Sequence, residues 1–98
     1  MNGIVKVIKL VNADRIAGWG MIGKPDSSLV GSMGIIMRPL INTDGFWVEL
    51  LLKNELLGVR KFKTVFLREE LAEATPEEQK AYQELENELE SRVVAEKL

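Results

Sequence analysis

The chain has 98 residues, of which 46% are hydrophobic and 29% are charged, and it contains neither cysteine nor histidine. This length favours one small domain, and the composition is that of a folded globular protein. Without Cys or His, the chain has no disulfides, no thiolate nucleophile, no zinc–thiolate site and no imidazole base. We therefore expect a protein that is not an enzyme and that holds no metal or cofactor.

The net charge of −2 is divided unevenly along the chain. Residues 1–75 hold ten Lys and Arg against eight Asp and Glu, whereas residues 76–98 hold three against seven. A mildly basic part followed by an acidic segment is a hint about partners. No apolar run approaches the ~18 residues of a membrane span, and the first residues lack the features of a signal peptide. We therefore expect a cytoplasmic protein with no membrane partner.

Five segments rich in β-forming residues predict strands, and turn sequences separate them. The predicted strands are residues 4–11, 16–22, 29–38, 46–53 and 59–67. Asp44-Gly45 is a strong hairpin signal before the fourth strand. In that strand the alternation predicts a core-facing set, Phe46, Val48, Leu50 and Leu52, and an outward set, Trp47, Glu49, Leu51 and Lys53.

The first strand is apolar on both faces, with Val5 and Val7 on one face and Ile4 and Ile8 on the other. Strands that are covered on one side only tend to alternate apolar and polar residues. We therefore expect a helix on one face of the sheet and a second subunit on the other. The predicted partner or dimer surface consists of Val5, Val7, Trp47 and Leu51.

The segment Thr75-Pro76-Glu77-Glu78 predicts the start of a helix, with Thr75 as N-cap and Glu78 completing a capping box. An apolar stripe then follows at helical spacing: Tyr82, Leu85, Leu89 and Val93. The predicted fold is α+β, a single domain in which residues 1–74 form an antiparallel meander of about five strands. Residues 75–98 form one amphipathic, acidic C-terminal helix.

The glycine-rich segment Gly18-Trp-Gly-Met-Ile-Gly-Lys24 comes close to a phosphate-binding loop, which requires Ser or Thr after the lysine. Pro25 stands there instead and supplies neither a hydroxyl group nor an N–H. The residues that follow are typical of a turn and a strand, whereas a phosphate-binding loop precedes a long helix. The pattern therefore predicts a β-turn.

Two segments combine aromatic and basic residues in a way that suggests nucleic-acid binding. Trp19 stands between two glycines on a predicted strand, as stacking aromatics do in proteins that bind single strands. With Asn12-Ala-Asp-Arg15 before it, this segment loosely resembles the first RNA-binding motif of cold-shock domains. Arg60-Lys61-Phe62-Lys63 adds basic residues, which Arg15, Lys24, Arg38 and Arg68 extend.

Both segments also have a purely structural interpretation. Trp19 would fill the core or a dimer seam, and Lys61 and Lys63 would protect an edge strand from unwanted pairing. The sequence leaves these alternatives open.

Three segments together resemble a known family. Residues 5–15 form an extended basic and apolar strand that ends in Val-Asn and a turn, and Asp44-Gly-Phe-Trp-Val48 and Phe62-Lys-Thr-Val65 follow at similar spacing. On these residues the chain resembles the stage V sporulation protein G family of septation regulators over nearly its whole length. The resemblance implies homodimers formed by sheet pairing that bind DNA and RNA.

The leading interpretation is a small non-enzymatic regulator that binds DNA or RNA as a homodimer. Its predicted contacts are Arg15, Trp19, Lys24, Arg60, Lys61 and Lys63. The alternative is a protein-binding module, such as a phage- or virus-encoded inhibitor, that uses Trp47, Leu51 and the acidic helix against a host protein. A weaker third alternative is a small-ligand binder with a pocket formed by residues 18–34 at a subunit junction.

Overall fold

The structure is a computed structural model that describes residues 3–11, 15–17, 20–23, 26–41 and 43–97, without the side chains of 15–17, 20–22 and 92–97. The elements of this part of the chain are, in order, β1 (Ile4–Val7), β2 (Arg15–Ala17), β3 (Gly20–Gly23), β4 (Met33–Pro39), β5 (Gly45–Asn54), β6 (Gly58–Leu67), β7 (Leu71–Glu73) and the helix α1 (Pro76–Lys97). Short 3₁₀ turns occupy Ser27–Leu29 and Arg68–Glu70.

Five of these strands form one antiparallel sheet in the order β6-β5-β4-β1-β7, and α1 follows the sheet in the chain. The predicted α+β class, with five antiparallel strands and a C-terminal helix, is therefore confirmed. The predicted second strand, residues 16–22, is instead the separate hairpin β2-β3. The fifth strand of the sheet is β7, a three-residue segment that the sequence pattern did not indicate.

The two faces of the sheet are covered differently. One face, which we call the far face, carries Val5, Val7, Val48, Leu50 and Phe66, all with no exposed area. Leu10 and Leu29, from the segments between the strands, pack against this cluster. The prediction that Phe46, Val48, Leu50 and Leu52 face a core is therefore confirmed.

The opposite face, which we call the helix face, is covered by α1. Tyr82 packs there with Leu51 and Val59 in a second buried cluster. Other apolar side chains from the sheet and the helix join this cluster: Ile4, Met33, Ile35, Leu85 and Leu89. Of the apolar stripe predicted on the helix, Tyr82, Leu85 and Leu89 make this contact, and the side chain of Val93 lies outside the described part of the chain.

This arrangement corrects part of the predicted partner surface. Val5 and Val7 are fully buried within the chain, and Leu51, predicted to face outward, is 4% exposed beneath α1. Val5, Val7 and Leu51 are thus covered by this chain itself and give no argument for a second subunit. Of the four predicted surface residues, Trp47 alone keeps a half-buried side chain.

The start of α1 has the predicted capping box. The Glu78 N–H donates to Thr75 Oγ1 at 3.2 Å, and the Thr75 N–H donates to Glu78 Oε1 at 3.0 Å. Each side chain satisfies an N–H group that the first helical turn leaves without an intrahelical acceptor. In the described part of the chain, no helix is long and apolar enough to cross a membrane.

Glu70 is a fully buried carboxylate between β6 and β7. Its Oε2 accepts the Val11 N–H at 2.7 Å and its Oε1 accepts the Leu67 N–H at 2.8 Å. Buried carboxylates persist when hydrogen bonds replace the water that they lose. Glu70 therefore holds together two segments that are 59 residues apart in the chain.

Candidate nucleic-acid interface

Three of the predicted contacts lie in the glycine-rich segment. Trp19 and Lys24 fall outside the described residues, so their predicted roles stay predictions. The backbone of Arg15 belongs to β2 and pairs with Gly23 in β3, but its side chain is not described. Gly23 has a φ of +88°, which is the left-handed backbone that glycine adopts without strain.

The basic run on β6 divides between the two faces of the sheet. Arg60 is opposite Leu52 on the far face, whereas Lys61 is opposite Leu51 and Lys63 is opposite Glu49 on the helix face. This division follows from the alternation of side chains along a strand. A single flat surface therefore does not contact all three cations. β6 is also an edge of the described sheet, as the structural interpretation of these lysines requires.

Glu49 lies between the two lysines of the helix face. Its Oε1 is 3.6 Å from the Lys61 Nζ and its Oε2 is 3.7 Å from the Lys63 Nζ. The Glu49 side chain is 12% exposed, whereas each lysine is more than half exposed. The ammonium groups therefore remain accessible to solvent, and one buried carboxylate balances only one of their two charges.

A β-bulge in β4 places a further cation on this face. The pairing of β4 with β5 shifts between Ile36 and Arg38, so that Arg38 lies opposite Trp47. In an unbroken strand Arg38 would share the face of Ile36, because side chains alternate with a period of two. The bulge thus turns the arginine toward the helix face and beside the tryptophan.

Arg38 and Trp47 form a cation–π pair. The Arg38 Cζ lies 5.8 Å from the centroid of the Trp47 ring, within the range of this attraction. Arg38 is exposed and Trp47 is half-buried, so both retain accessible surface. Arginine and tryptophan offer flat surfaces on which nucleobases stack.

The pair belongs to a concavity of about 340 Å³. Among the described residues, its lining consists of Met37, Arg38, Trp47 and Lys63. We call these four side chains the Trp47 site. The site thus has two cations, and no carboxylate is among its described lining residues. Lys61 and Glu49 lie beside it, in a neighbouring concavity that Glu86 and Glu90 also line.

Three further cations are held in local pairs. On the helix face, α1 supplies carboxylates to two lysines: Lys6 Nζ lies 2.7 Å from Glu78 Oε2, and Lys53 Nζ lies 3.3 Å from Glu88 Oε2. At the other end, Arg68 donates from Nε to Asp44 Oδ1 at 2.7 Å, and its Cζ lies 5.0 Å from the Phe46 ring centroid. Arg68 therefore does not extend the Trp47 site, whereas Arg38 does.

The sequence predicts Trp47 on a partner surface and Arg38 only as a possible extension of the basic run. The alternation of β5 did place Trp47 and Glu49 on one face. The signal that joins Arg38 to them is the bulge at Met37, and no residue type in that segment announces it. A scan against protein-family models and searches of curated proteins and of solved structures found no match to this chain.

Proposed function

We propose that this protein is a small non-enzymatic regulator that binds single-stranded nucleic acid at the Trp47 site. The observation that carries the proposal is the accessible Arg38–Trp47 pair, with Lys63 on the border of the same concavity. A base would stack on the Trp47 ring or the Arg38 guanidinium plane, and the adjoining phosphates would contact Lys61 and Lys63. In this proposal Arg60 lies on the other face and takes no part.

Electrostatics support a weak, sequence-tolerant interaction. Lysine ammonium groups recognise phosphate as point charges and carry no base information. The site has few cations, and the carboxylates of Glu49, Glu86 and Glu90 lie beside Lys61. Affinity should therefore be low and should fall as salt rises, with a slope set by roughly two or three phosphates. The resemblance to septation regulators extends the proposal to a homodimer that acts in the cytoplasm on DNA or RNA.

The experiment is a fluorescence-anisotropy titration of labelled dT12 and rU12 at low ionic strength, repeated at increasing salt. We expect binding that Arg38→Glu and Lys63→Glu each weaken at least about tenfold, because each reverses a charge within the site. Lys80→Glu is the matched control, since Lys80 is exposed on α1 away from the Trp47 site. It changes the net charge by the same amount and should leave affinity nearly unchanged.

A second measurement follows the fluorescence of the Trp47 ring. The chain has two tryptophans, so a Trp19→Phe background leaves Trp47 as the sole indole. Stacking of a base on Trp47 should quench its fluorescence in proportion to bound oligonucleotide. The proposal is wrong if neither oligonucleotide binds at low salt, or if Arg38→Glu and Lys80→Glu behave alike.

A protein-binding module, such as a phage- or virus-encoded inhibitor, is the second candidate function. The observation in its favour is the outer surface of α1, where Glu77 and Glu84 are exposed two turns apart and no described cation pairs with them. Carboxylates along a helix have the charge sign of a nucleic-acid backbone. Competition by the purified protein for a basic nucleic-acid-binding host protein would test this candidate, with Glu77→Lys and Glu84→Lys as variants.

A further inference from the structure

A second concavity, with a volume of about 760 Å³, lies at the other end of β5 and β6. Leu52 and Arg60 line it from the far face, and Leu51 and Lys61 line it from the helix face. We call this concavity the β6 groove. It shares no described lining residue with the Trp47 site, although Lys61 lies beside both.

The β6 groove has exposed hydrophobic side chains among polar and charged ones. Val30, Leu57 and Phe62 are 47%, 41% and 43% exposed, and all three line the groove together with Leu52. Clustered exposed apolar side chains of this kind mark interaction surfaces more often than isolated ones do.

The charges of the groove have one sign. Its charged lining residues are Lys53, Arg60 and Lys61, and no carboxylate is among the described residues that line it. Lys53 and Lys61 are paired with Glu88 and Glu49. Arg60 is exposed, and within the described part of the chain no carboxylate forms an ion pair with it. An acidic partner is therefore the complement of this surface.

The third observation concerns the backbone of β6. β6 is an edge strand of the described sheet, and its residues alternate between the groove side, with Arg60 and Phe62, and the helix face, with Lys61 and Lys63. A peptide that adds as a further strand presents alternate side chains to these two sides. One row would then meet Phe62 and Arg60, and the other would meet the two lysines.

From these three observations we propose that the β6 edge and its groove bind an extended acidic peptide of a partner protein by strand addition. Apolar side chains of the peptide enter between Leu57 and Phe62, and a carboxylate of the same row contacts Arg60. Carboxylates of the opposite row contact Lys61 and Lys63. The peptide and a nucleic acid at the Trp47 site would therefore compete for these two lysines, whereas Arg60 serves the peptide alone. The proposal uses a peptide rather than the acidic helix of the second candidate function.

The test is a fluorescence-polarisation titration of the full chain with a labelled, end-capped peptide, Glu-Val-Glu-Leu-Glu-Glu-Glu, and no oligonucleotide present. Its second, fourth and sixth side chains form the row that meets the groove and Arg60, and the other four form the row that meets the lysines. We expect the acidic peptide to bind at least tenfold more tightly than the matched peptide Lys-Val-Lys-Leu-Lys-Lys-Lys. Arg60→Glu should weaken binding of the acidic peptide at least tenfold, while Lys80→Glu should change it less than twofold. Circular dichroism of each variant checks that the fold is retained.

Two further experiments, with a methylated peptide and with dT12 as competitor, distinguish strand addition from other modes of binding. Methylating alternate amides of the peptide along one edge removes the N–H groups that pair with a strand, so binding should be lost. The proposal is overturned if the methylated peptide binds equally well, if the acidic and basic peptides bind alike, or if neither binds. Displacement of the peptide by dT12 from the wild type and equally from Arg38→Glu would assign the groove to phosphate and also overturn it.

Discussion

The Lys6 Nζ lies 2.7 Å from the Glu78 Oε2, so an ion pair joins strand β1 to the first turn of α1. The other carboxylate oxygen of Glu78 accepts the Thr75 N–H in the capping box. One side chain thus caps the helix and fixes the helix start to an interior strand of the sheet. Loss of its charge should weaken both contacts together.

Glu78 should contribute to the loss of stability of the fold at acidic pH. The Lys6 ammonium, followed by the Thr75 N–H, lowers the pKa of Glu78 below its ordinary value of 4.5. Because the pKa is lower in the folded state, the stabilisation is present above about pH 4.5 and is lost as the pH falls through the folded value. In urea unfolding at a series of pH values, the wild type should lose stability more steeply than Glu78→Gln below about pH 5.

The control for this prediction is Glu84→Gln, which removes an exposed carboxylate from the same helix. Glu84→Gln should keep the acid dependence of the wild type. Equal acid dependence in the wild type and Glu78→Gln would contradict the role assigned to Glu78.

Tyr82 should make the stability of the fold depend on pH in the alkaline range. Burial under the helix face, with Glu86 and Glu49 nearby, raises the pKa of Tyr82 to about 12. Because the pKa is higher in the folded state, the contribution of neutral Tyr82 to the stability of the fold is fully present below the unfolded pKa of about 10. This contribution is lost as the pH rises toward 12. Tyr82 is the chain's one tyrosine, so absorbance near 295 nm reports it directly. A titration midpoint near pH 10 in the folded protein would contradict the prediction.

Glu70→Gln should destabilise the fold. The two carboxylate oxygens accept the N–H groups of Val11 and Leu67, and an amide has one oxygen for these two donors. A buried N–H would be left facing an NH₂ group, which costs about 1–3 kcal/mol of the free energy of unfolding. Denaturant unfolding measures this loss.

The neighbouring Glu69 provides the matched control for Glu70. Glu69 is exposed, and its Oε2 lies 3.6 Å from the Lys9 Nζ in a solvent-accessible pair. Glu69→Gln makes the same chemical change and should cost less than about 1 kcal/mol. Similar losses in the two variants would show that burial of Glu70 is not the cause.

Glu49→Gln should strengthen nucleic-acid binding if the Trp47 site is used. The substitution removes the carboxylate that faces Lys61 and Lys63 and raises the net positive charge of the site by one. We expect a several-fold gain in dT12 affinity at low salt that shrinks as salt rises. Glu55→Gln, in the exposed turn between β5 and β6, is the control of equal charge. Unchanged affinity in Glu49→Gln would contradict the placement of phosphates at these lysines.

The fold could be predicted from the sequence where a local pattern, such as strand alternation or a capping box, agrees with the tertiary packing. The alternation in β5 identified the core-facing residues Phe46, Val48 and Leu50, and the Thr75–Glu78 capping box identified the start of α1. Leu51 was assigned to the surface because its neighbours Glu49 and Lys53 are charged. The stripe of Tyr82, Leu85 and Leu89 requires an apolar partner, and Leu51 is part of that partner.

Two features depended on contacts that no local pattern contains. β7 has three residues and forms because β1 offers a free edge, through the pairs of Val5 with Glu73 and Val7 with Leu71. The Arg38–Trp47 pair depends on the bulge in β4. The division of Arg60 from Lys61 and Lys63, by contrast, follows from strand alternation and was available from the sequence.

The position of β1 has a consequence for the order in which the chain folds. Its four residues pair with β4 on one side and with β7 on the other, and Lys6 then bonds to the helix that comes last. During synthesis β1 is therefore made before either of its partner strands, residues 33–39 and residues 71–73, has been added to the chain. Pairings this distant in sequence slow folding, because a long loop closes before any contact compensates its lost entropy. A nascent chain that stops before β7 would hold its earliest strand with one edge open.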